Sequence, residues 1–491
     1  MSDPGRVLVL GAGPTGLGAA YRLSELGHSE VQLCEARAEP GGLAASVVDA
    51  AGFTWDLGGH VQFSHYAYYD AVLDRALGDG WLHHARRAGV WLDGALVPYP
   101  LQHNLHRLAP AARELALAGL EHARAAPPTT PPESFLDWVL AHFGPGLAEL
   151  FFVPYNEKVW GYPLSTLGCG WVGERVALPD LAALRRQLTA SDTAEGPPAL
   201  ADWGPNRTFR FPARGGTGAI WRGVAELLPP GLLRLGARAT RLELAARQVV
   251  LASGECLAFD NLVSTLPLDR LAALCDEPPA ELAAALPRLR HSSVHVVGVG
   301  LRGGRPAALD GIGWMYFPAA ASPYYRVTVF SNYSPAHVPP GDGHWSLMAE
   351  VCESRWRHVE PRGLAARVAE ALRRDGLIAP EGEVVSLWHR REEHGYPTPF
   401  LGRDAAVDPA LAALERRGVY SRGRFGAWKY EVSNQDHSFM QGVELAERLL
   451  GRSFATGEPT LHEPGRVNGG AYLVDPARLA SAASSAGSGR A

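Results

Sequence analysis

The stretch Val7 to Gly18, Val-Leu-Val-Leu-Gly-Ala-Gly-Pro-Thr-Gly-Leu-Gly, constrains the fold more than any other part of the chain. Four consecutive apolar residues predict a strand buried on both faces, the habit of parallel sheets. The Ala- and Leu-rich run from Ala19 to Leu26 predicts the helix that follows. Between them Gly11 allows a tight turn, Gly13 lets backbone N–H groups approach a pyrophosphate, and Gly16 lets helix and strand lie close. The helix that starts at Pro14 presents unpaired N–H groups, from Thr15 onward since proline has none, and a partial positive charge to phosphates. A second strand, Val31–Cys34, ends in Glu35, where an acid meets ribose hydroxyls. These features predict a dinucleotide site; an ordinary tight strand–helix turn is the alternative.

Farther along, the pair Gly41-Gly42 with Leu43 extends the dinucleotide signature in the manner of a flavoprotein superfamily that binds FAD. Phe53 to His60 holds Gly58 and Gly59, which would let backbone lie against a flavin ring; a plain β-turn with a surface histidine is the competing reading. From Leu101 to Leu184 the pattern is helical, broken by the proline-rich Pro127–Pro132, as expected of an insertion. The aromatic run from Phe151 to Trp160 reads, on these residues alone, more readily as core than as a binding face. Asp260–Pro267 predicts a strand returning to the nucleotide sheet. Val294–Leu301, Gly311–Ser334, Trp345–Cys352 and Val384–Trp388 predict an antiparallel sheet. A last helix is expected from Phe439 through Leu450. The triplet Asp436-His437-Ser438 is no catalytic triad, because adjacent residues cannot converge as a triad must.

The fold expected is therefore α/β: a Rossmann-like FAD-binding domain (residues 1–98, 205–285 and 415–465), a helical insertion (99–204), an antiparallel β-sheet substrate domain (286–414) and a tail (466–491). The net charge of −5 argues against a nucleic-acid partner. No uninterrupted run of eighteen apolar residues occurs, so no membrane span is expected. Five scattered cysteines suit reduced thiols in a cytoplasmic setting. His83, His84, His103 and His106 lack partners at ligand spacing, so no metal site is expected.

Taken together, Asp56–Tyr66, Val97–Gln102, Pro154–Trp160, Gly173–Val176, Thr208–Gly218, Tyr324–Arg326, Phe330–Pro335, His394–Pro399 and Ser421–Phe439 resemble the UDP-galactopyranose mutases, in the eukaryotic-type branch known from fungi and protozoan parasites. The resemblance runs from residue 6 to about residue 450. It implies an FAD-dependent isomerase that interconverts UDP-galactopyranose and UDP-galactofuranose with no net redox change. N5 of the reduced flavin is then the nucleophile on the anomeric carbon, and NADPH the reductant. The partner implied is a UDP-sugar, and a homo-oligomer stays open.

By the same resemblance, Arg326 and Arg424 clamp the diphosphate, as guanidinium forks suit. Tyr316, Tyr396 and Tyr430 hydrogen-bond it, and Trp314 lines the sugar pocket. Phe151, Tyr155 and Trp160 border the uridine, with Tyr99, Gln102 and Asn156 supplying hydrogen bonds. Arg175 and Asn206 lie on loops that close over substrate. Gly59 and His60 border flavin N5, with Arg86 near that loop, and Asn434, Gln435 and Ser438 meet the FAD pyrophosphate. Glu35 stands where the fungal enzyme has aspartate, and Leu101 and His103 flank Gln102 where the family has Phe and Asn. Either carboxylate accepts from ribose hydroxyls, so Glu35 keeps its role, whereas the changes beside Gln102 would suit a different sugar or nucleotide. An oxidase or desaturase of the amine-oxidase fold is the alternative activity, and a non-catalytic nucleotide-sugar binder a third reading.

Overall fold

A computed structural model of the chain describes residues 4–190, 207–341, 343–451 and 457–469. Its organising layer is a five-stranded parallel sheet in the order Val419–Ser421, Asn261–Ser264, Val7–Leu10, Val31–Cys34, Leu233–Arg234. The returning strand expected at Asp260–Pro267 thus lies beside the first strand, in register Val7 opposite Asn261. Val7 to Leu10 are all buried, as both-face burial in a parallel sheet requires.

The first helix, Pro14–Glu25, lies against the last long helix, Gln435–Leu449. Glycines permit this approach: a Cβ on Gly18 would stand 2.4 Å from the carbonyl oxygen of Phe439, and one on Gly442 would stand 2.1 Å from that of Thr15. The last helix begins four residues before the expected Phe439, because Asn434 takes extended backbone at its N-cap. That earlier start places Asn434, Gln435 and Ser438 beside the glycine turn.

The second layer is a seven-stranded sheet in the order Glu383–Pro397, His291–Arg302, His344–Glu353, Arg326–Thr328, Trp314–Tyr316, Ala88–Leu92, Ala95–Pro98. It is antiparallel except where Trp314–Tyr316 runs parallel to Ala88–Leu92. The strands between residues 88 and 98 therefore extend this sheet and not the nucleotide sheet. The strand at Glu383 is also longer than the alternation up to Trp388 indicated, since its second half, through Pro397, buries the polar Glu392 and His394 where apolar residues would mark a strand.

The insertion carries Pro110–Ala125 and Phe135–Leu147, the latter opened by a capping box between Ser134 and Asp137. At Gly144 (φ 68°) the helix axis breaks, and a π turn over Ala148–Phe152 leads into the helix Val153–Trp160. Such turns realign side chains and recur at functional sites. The whole helical run Phe135–Trp160 is long and apolar enough to cross a membrane by length and composition, although no uninterrupted apolar stretch announced it. Phe135, Val139, Phe143, Leu147 and Phe152 are instead buried in the chain's own core. Each such burial contributes roughly 1.5–3 kcal/mol.

Candidate active site

A cavity of about 960 Å³ runs from the glycine turn to the insertion, between the two sheets. Its first end is the dinucleotide cradle. Gly11, Gly13, Pro14 and Thr15 line it, with Glu35, Gly42 and Leu43 across the turn. Gly16 does not reach the cavity; a Cβ there would stand 1.8 Å from the carbonyl oxygen of Gly11, so its role is the close helix–strand contact. A Cβ on Gly13 would meet only Gly42 Cα, at 3.9 Å, so the space above the turn is open to a ligand. The Glu35 carboxylate accepts from the Ala12 N–H at 2.7 Å and the Arg37 N–H at 2.8 Å, which holds it at the cavity wall with lone pairs to spare.

Two helices start at this cradle. The one at Pro14 has Gly13 as N-cap and the one at Gln435 has Asn434, and neither cap makes a side-chain bond. Their first N–H groups are thus available to an anion such as a pyrophosphate. Asn434, Gln435 and Ser438 all line the cavity there. Trp221 Nε1 donates to Gln435 Oε1 at 2.8 Å and fixes that side chain. These residues fit FAD: open space over a glycine turn, two uncapped helix starts and a ribose-reaching acid.

At the middle of the cavity, Gly58, Gly59 and His60 form the wall. Burial pushes the His60 imidazole down to about 4, with Arg326 and Arg424 lowering it further against Glu350, so the ring is neutral at physiological pH. Its Nδ1 is buried and has no protein partner. Arg326 lies behind this wall. Its Nε and Nη2 both bond the Glu350 carboxylate, and Nη2 also donates to the Gly59 carbonyl at 3.2 Å. Glu350 is almost wholly buried and also accepts from the Tyr325 hydroxyl at 3.1 Å. It stays ionised despite burial because Arg326 pulls its pKa down.

Arg424 is held differently. Nε and Nη2 donate to the Gly395 carbonyl, and Nη1 donates to Ser433 Oγ at 2.9 Å. The guanidinium sits 4.9 Å from the Tyr396 ring centroid and 5.9 Å from that of Tyr430. Among the described residues no carboxylate is within ion-pair distance of it, and burial lowers its pKa. A desolvated cation without a counter-charge is costly unless an anion completes it. The two arginines assigned by resemblance to the diphosphate therefore differ in their surroundings: Arg326 is already neutralised and Arg424 is not.

Beyond Arg424 the wall is aromatic. Phe151 and Tyr155 stack with centroids 5.1 Å apart, Tyr155 meets Tyr316 at 5.2 Å, and Tyr316 meets Tyr99 at 5.2 Å. Trp160 abuts Tyr430 at 4.7 Å and Tyr396 at 5.9 Å. Trp314 lines the same space with its Nε1 unpartnered. Burial raises the pKa of Tyr155, Tyr316 and Tyr396, which keeps them as phenol donors. Gln102 donates to the Ala177 carbonyl at 2.7 Å and Asn156 to the Phe152 carbonyl at 2.8 Å, so each amide is locked with its oxygen left for a ligand. Arg86 lies 5.5 Å from the Tyr99 ring centroid on the same wall.

Arg175, on the short turn Gly173–Arg175, also lines the cavity. Its Nη2 donates to the Glu431 carbonyl at 2.6 Å, and its guanidinium lies 5.1 Å from the Tyr430 ring centroid. Asn206 lies outside the described residues. Three contributors escaped the sequence reading. Glu350 had a signal, a lone acid inside the apolar run Trp345–Cys352. His65, which pairs with Asp436 at 2.7 Å, had none. The segment Pro464–Gly469, beyond the last periodic helix, also lines the cavity.

The sequence profile of flavin-containing amine oxidoreductases matches residues 14–450. A crystal structure of reduced UDP-galactopyranose mutase is 45% identical, with a TM-score of 0.90 over 94% of this chain and 99% of that one. A CLA-producing fatty acid isomerase from P. acnes (14% identity, TM-score 0.62, 93% and 100% covered) and a putrescine oxidase bound to putrescine (16%, 0.59, 91% and 99%) share the fold. A glycine-turn cradle that fits FAD, joined to an arginine- and tyrosine-lined pocket, is thus accompanied by likeness along nearly the whole chain, and the chain belongs to the flavin-containing amine oxidoreductase family and, within it, to the UDP-galactopyranose mutases.

Proposed function

We propose that the chain interconverts UDP-galactopyranose and UDP-galactofuranose, with FAD in its reduced form and no net redox change. The observation that carries this reading is Arg424: a partly buried cation without a carboxylate, lining the cavity between the FAD cradle and an aromatic wall. The same charge disfavours a cationic amine as substrate.

Bound at the cradle, reduced FAD supplies a nucleophilic nitrogen for the anomeric carbon. The protein's part is to hold the leaving diphosphate. Arg424, with the phenols of Tyr396 and Tyr430 beside it, meets negative charge as it develops on the phosphate oxygen. Arg326, neutralised by Glu350, holds the Gly59 carbonyl in place and offers its remaining nitrogen, Nη1. Phe151 and Tyr155 border the base, and the Gln102 and Asn156 amides read its edge. Arg175, bonded to the Glu431 carbonyl, covers the mouth and keeps out water that would hydrolyse the activated sugar. Asn206 is assigned to the same closure by resemblance. NADPH is the reductant we assign.

The test is anaerobic incubation of the FAD-loaded protein with UDP-galactofuranose. Reduced protein should produce UDP-galactopyranose and oxidised protein should not. Absence of conversion by reduced, FAD-replete protein would sink the substrate assignment.

A further inference from the structure

Lys158 lies inside the insertion helix Val153–Trp160, and only 4% of it is exposed. Its Nζ donates to three backbone carbonyls: Phe317 at 2.7 Å, Ala319 at 2.8 Å and Ser322 at 2.9 Å. Three donors meet three acceptors, so the ammonium is saturated. No carboxylate stands within ion-pair distance among the described residues, and burial pulls its pKa down to about 7, with Arg357 adding to that and Asp375 opposing it. A buried cation balanced only by carbonyl dipoles is a costly way to fill space, since an apolar side chain fills it without desolvating a charge.

What the ammonium joins is informative. Its own helix carries Tyr155, Asn156 and Trp160, the base-side wall. The loop it grips connects the strand Trp314–Tyr316 to the strand Arg326–Thr328, the phosphate-side wall. That loop is fixed at its far side, where the Ser322 and Tyr324 hydroxyls both donate to Asp375 Oδ2 at 2.6 Å. Tyr155 and Tyr316 face each other at 5.2 Å directly beside this junction. The two halves of the pocket come from segments about 160 residues apart in sequence, and Lys158 is their charged tie.

We propose that Lys158 is a positioning residue: by holding the helix Val153–Trp160 against the loop 317–322, it sets the spacing between the base-binding and diphosphate-binding halves of the pocket. This rests on the UDP-sugar reading above. A ligand that spans both halves gains from their correct spacing, whereas a ligand of one half does not.

The experiment compares UDP with uridine as ligands of the FAD-loaded protein, by calorimetry for UDP and by competition for uridine. Wild-type protein must bind UDP; failure there overturns the UDP-sugar reading itself. In Lys158→Met, UDP affinity should fall by roughly tenfold to a hundredfold, the scale of a small misplacement, with uridine affinity unchanged. Lys158→Gln, which keeps a donor at shorter reach, should show the same split at smaller size and decides the matter if the methionine variant does not fold. Equal losses for both ligands, or no loss for UDP, would refute the spacing role.

Discussion

Arg326 and Glu350 form a buried bidentate pair whose guanidinium also holds the carbonyl of Gly59, so one ion pair fixes a wall of the flavin site. Removing one partner leaves a buried charge uncompensated, which costs about 3–5 kcal/mol. Glu350→Ala should therefore melt well below wild type. Arg326→Met combined with Glu350→Gln removes both charges and should recover most of that stability while turnover stays low. Thermal melts beside initial rates check this; a double variant that is both stable and active would contradict the assigned role.

Arg424 is predicted to serve function at a cost to stability. Arg424→Ala should keep flavin absorbance and hold or raise the melting temperature, because an unpaired cation is removed. It should lose about 10²–10³ in turnover, the scale of losing one stabilising donor. UDP should raise the melting temperature of wild type and not of the variant.

Two glycines of the turn should fail differently. Gly16→Ala places a Cβ 1.8 Å from the Gly11 oxygen and should prevent folding of the nucleotide layer. Gly13→Ala meets nothing closer than 3.9 Å, so that protein should fold and be recovered colourless, its pyrophosphate space filled. Circular dichroism with flavin absorbance separates the two outcomes.

Acid should destabilise the protein in two windows. Burial lowers His60, His337 and His437 to about 4, from about 6.5 in the unfolded chain. Between these values the unfolded state binds more protons, so stability falls as pH drops from 6.5 to 4. His437, whose Nδ1 stands 3.4 Å from Asp436 without a hydrogen bond, has no partner on either nitrogen, and His437→Leu should make that fall shallower. Asp436 sets the second, lower window. His437 and His65 overcome its burial and hold it at about 2, so its contribution is lost only as pH falls from 3.8 to 2. Melting temperature against pH for the two proteins reads the first window directly.

The cradle was legible in the sequence because Gly11 and Gly13 answer backbone demands and the Glu35 carboxylate stands at a fixed distance after them, and such demands show as residue type and spacing. The aromatic wall was legible only by resemblance, since periodicity alone cannot tell Phe151 or Trp160 in a pocket from the same residues in a core. What stayed hidden depends on contacts between distant segments. The Glu350 pair joins two strands, and Lys158 finds its acceptors in backbone carbonyls that no residue type marks. The unequal surroundings of Arg326 and Arg424 are likewise a product of the fold. The strands at 88–98 join the second sheet because that sheet's edge, Trp314–Tyr316, was open to them.

In the proposed reaction the diphosphate is held as a leaving group while the sugar ring changes. It is tested most directly with UDP-galactopyranose carrying heavy oxygen in the bridge between the anomeric carbon and phosphorus. Reduced wild-type protein should scramble the label into the non-bridging phosphate positions, and oxidised protein should not. Ring isomerisation by reduced protein with the label left in the bridge would contradict the account.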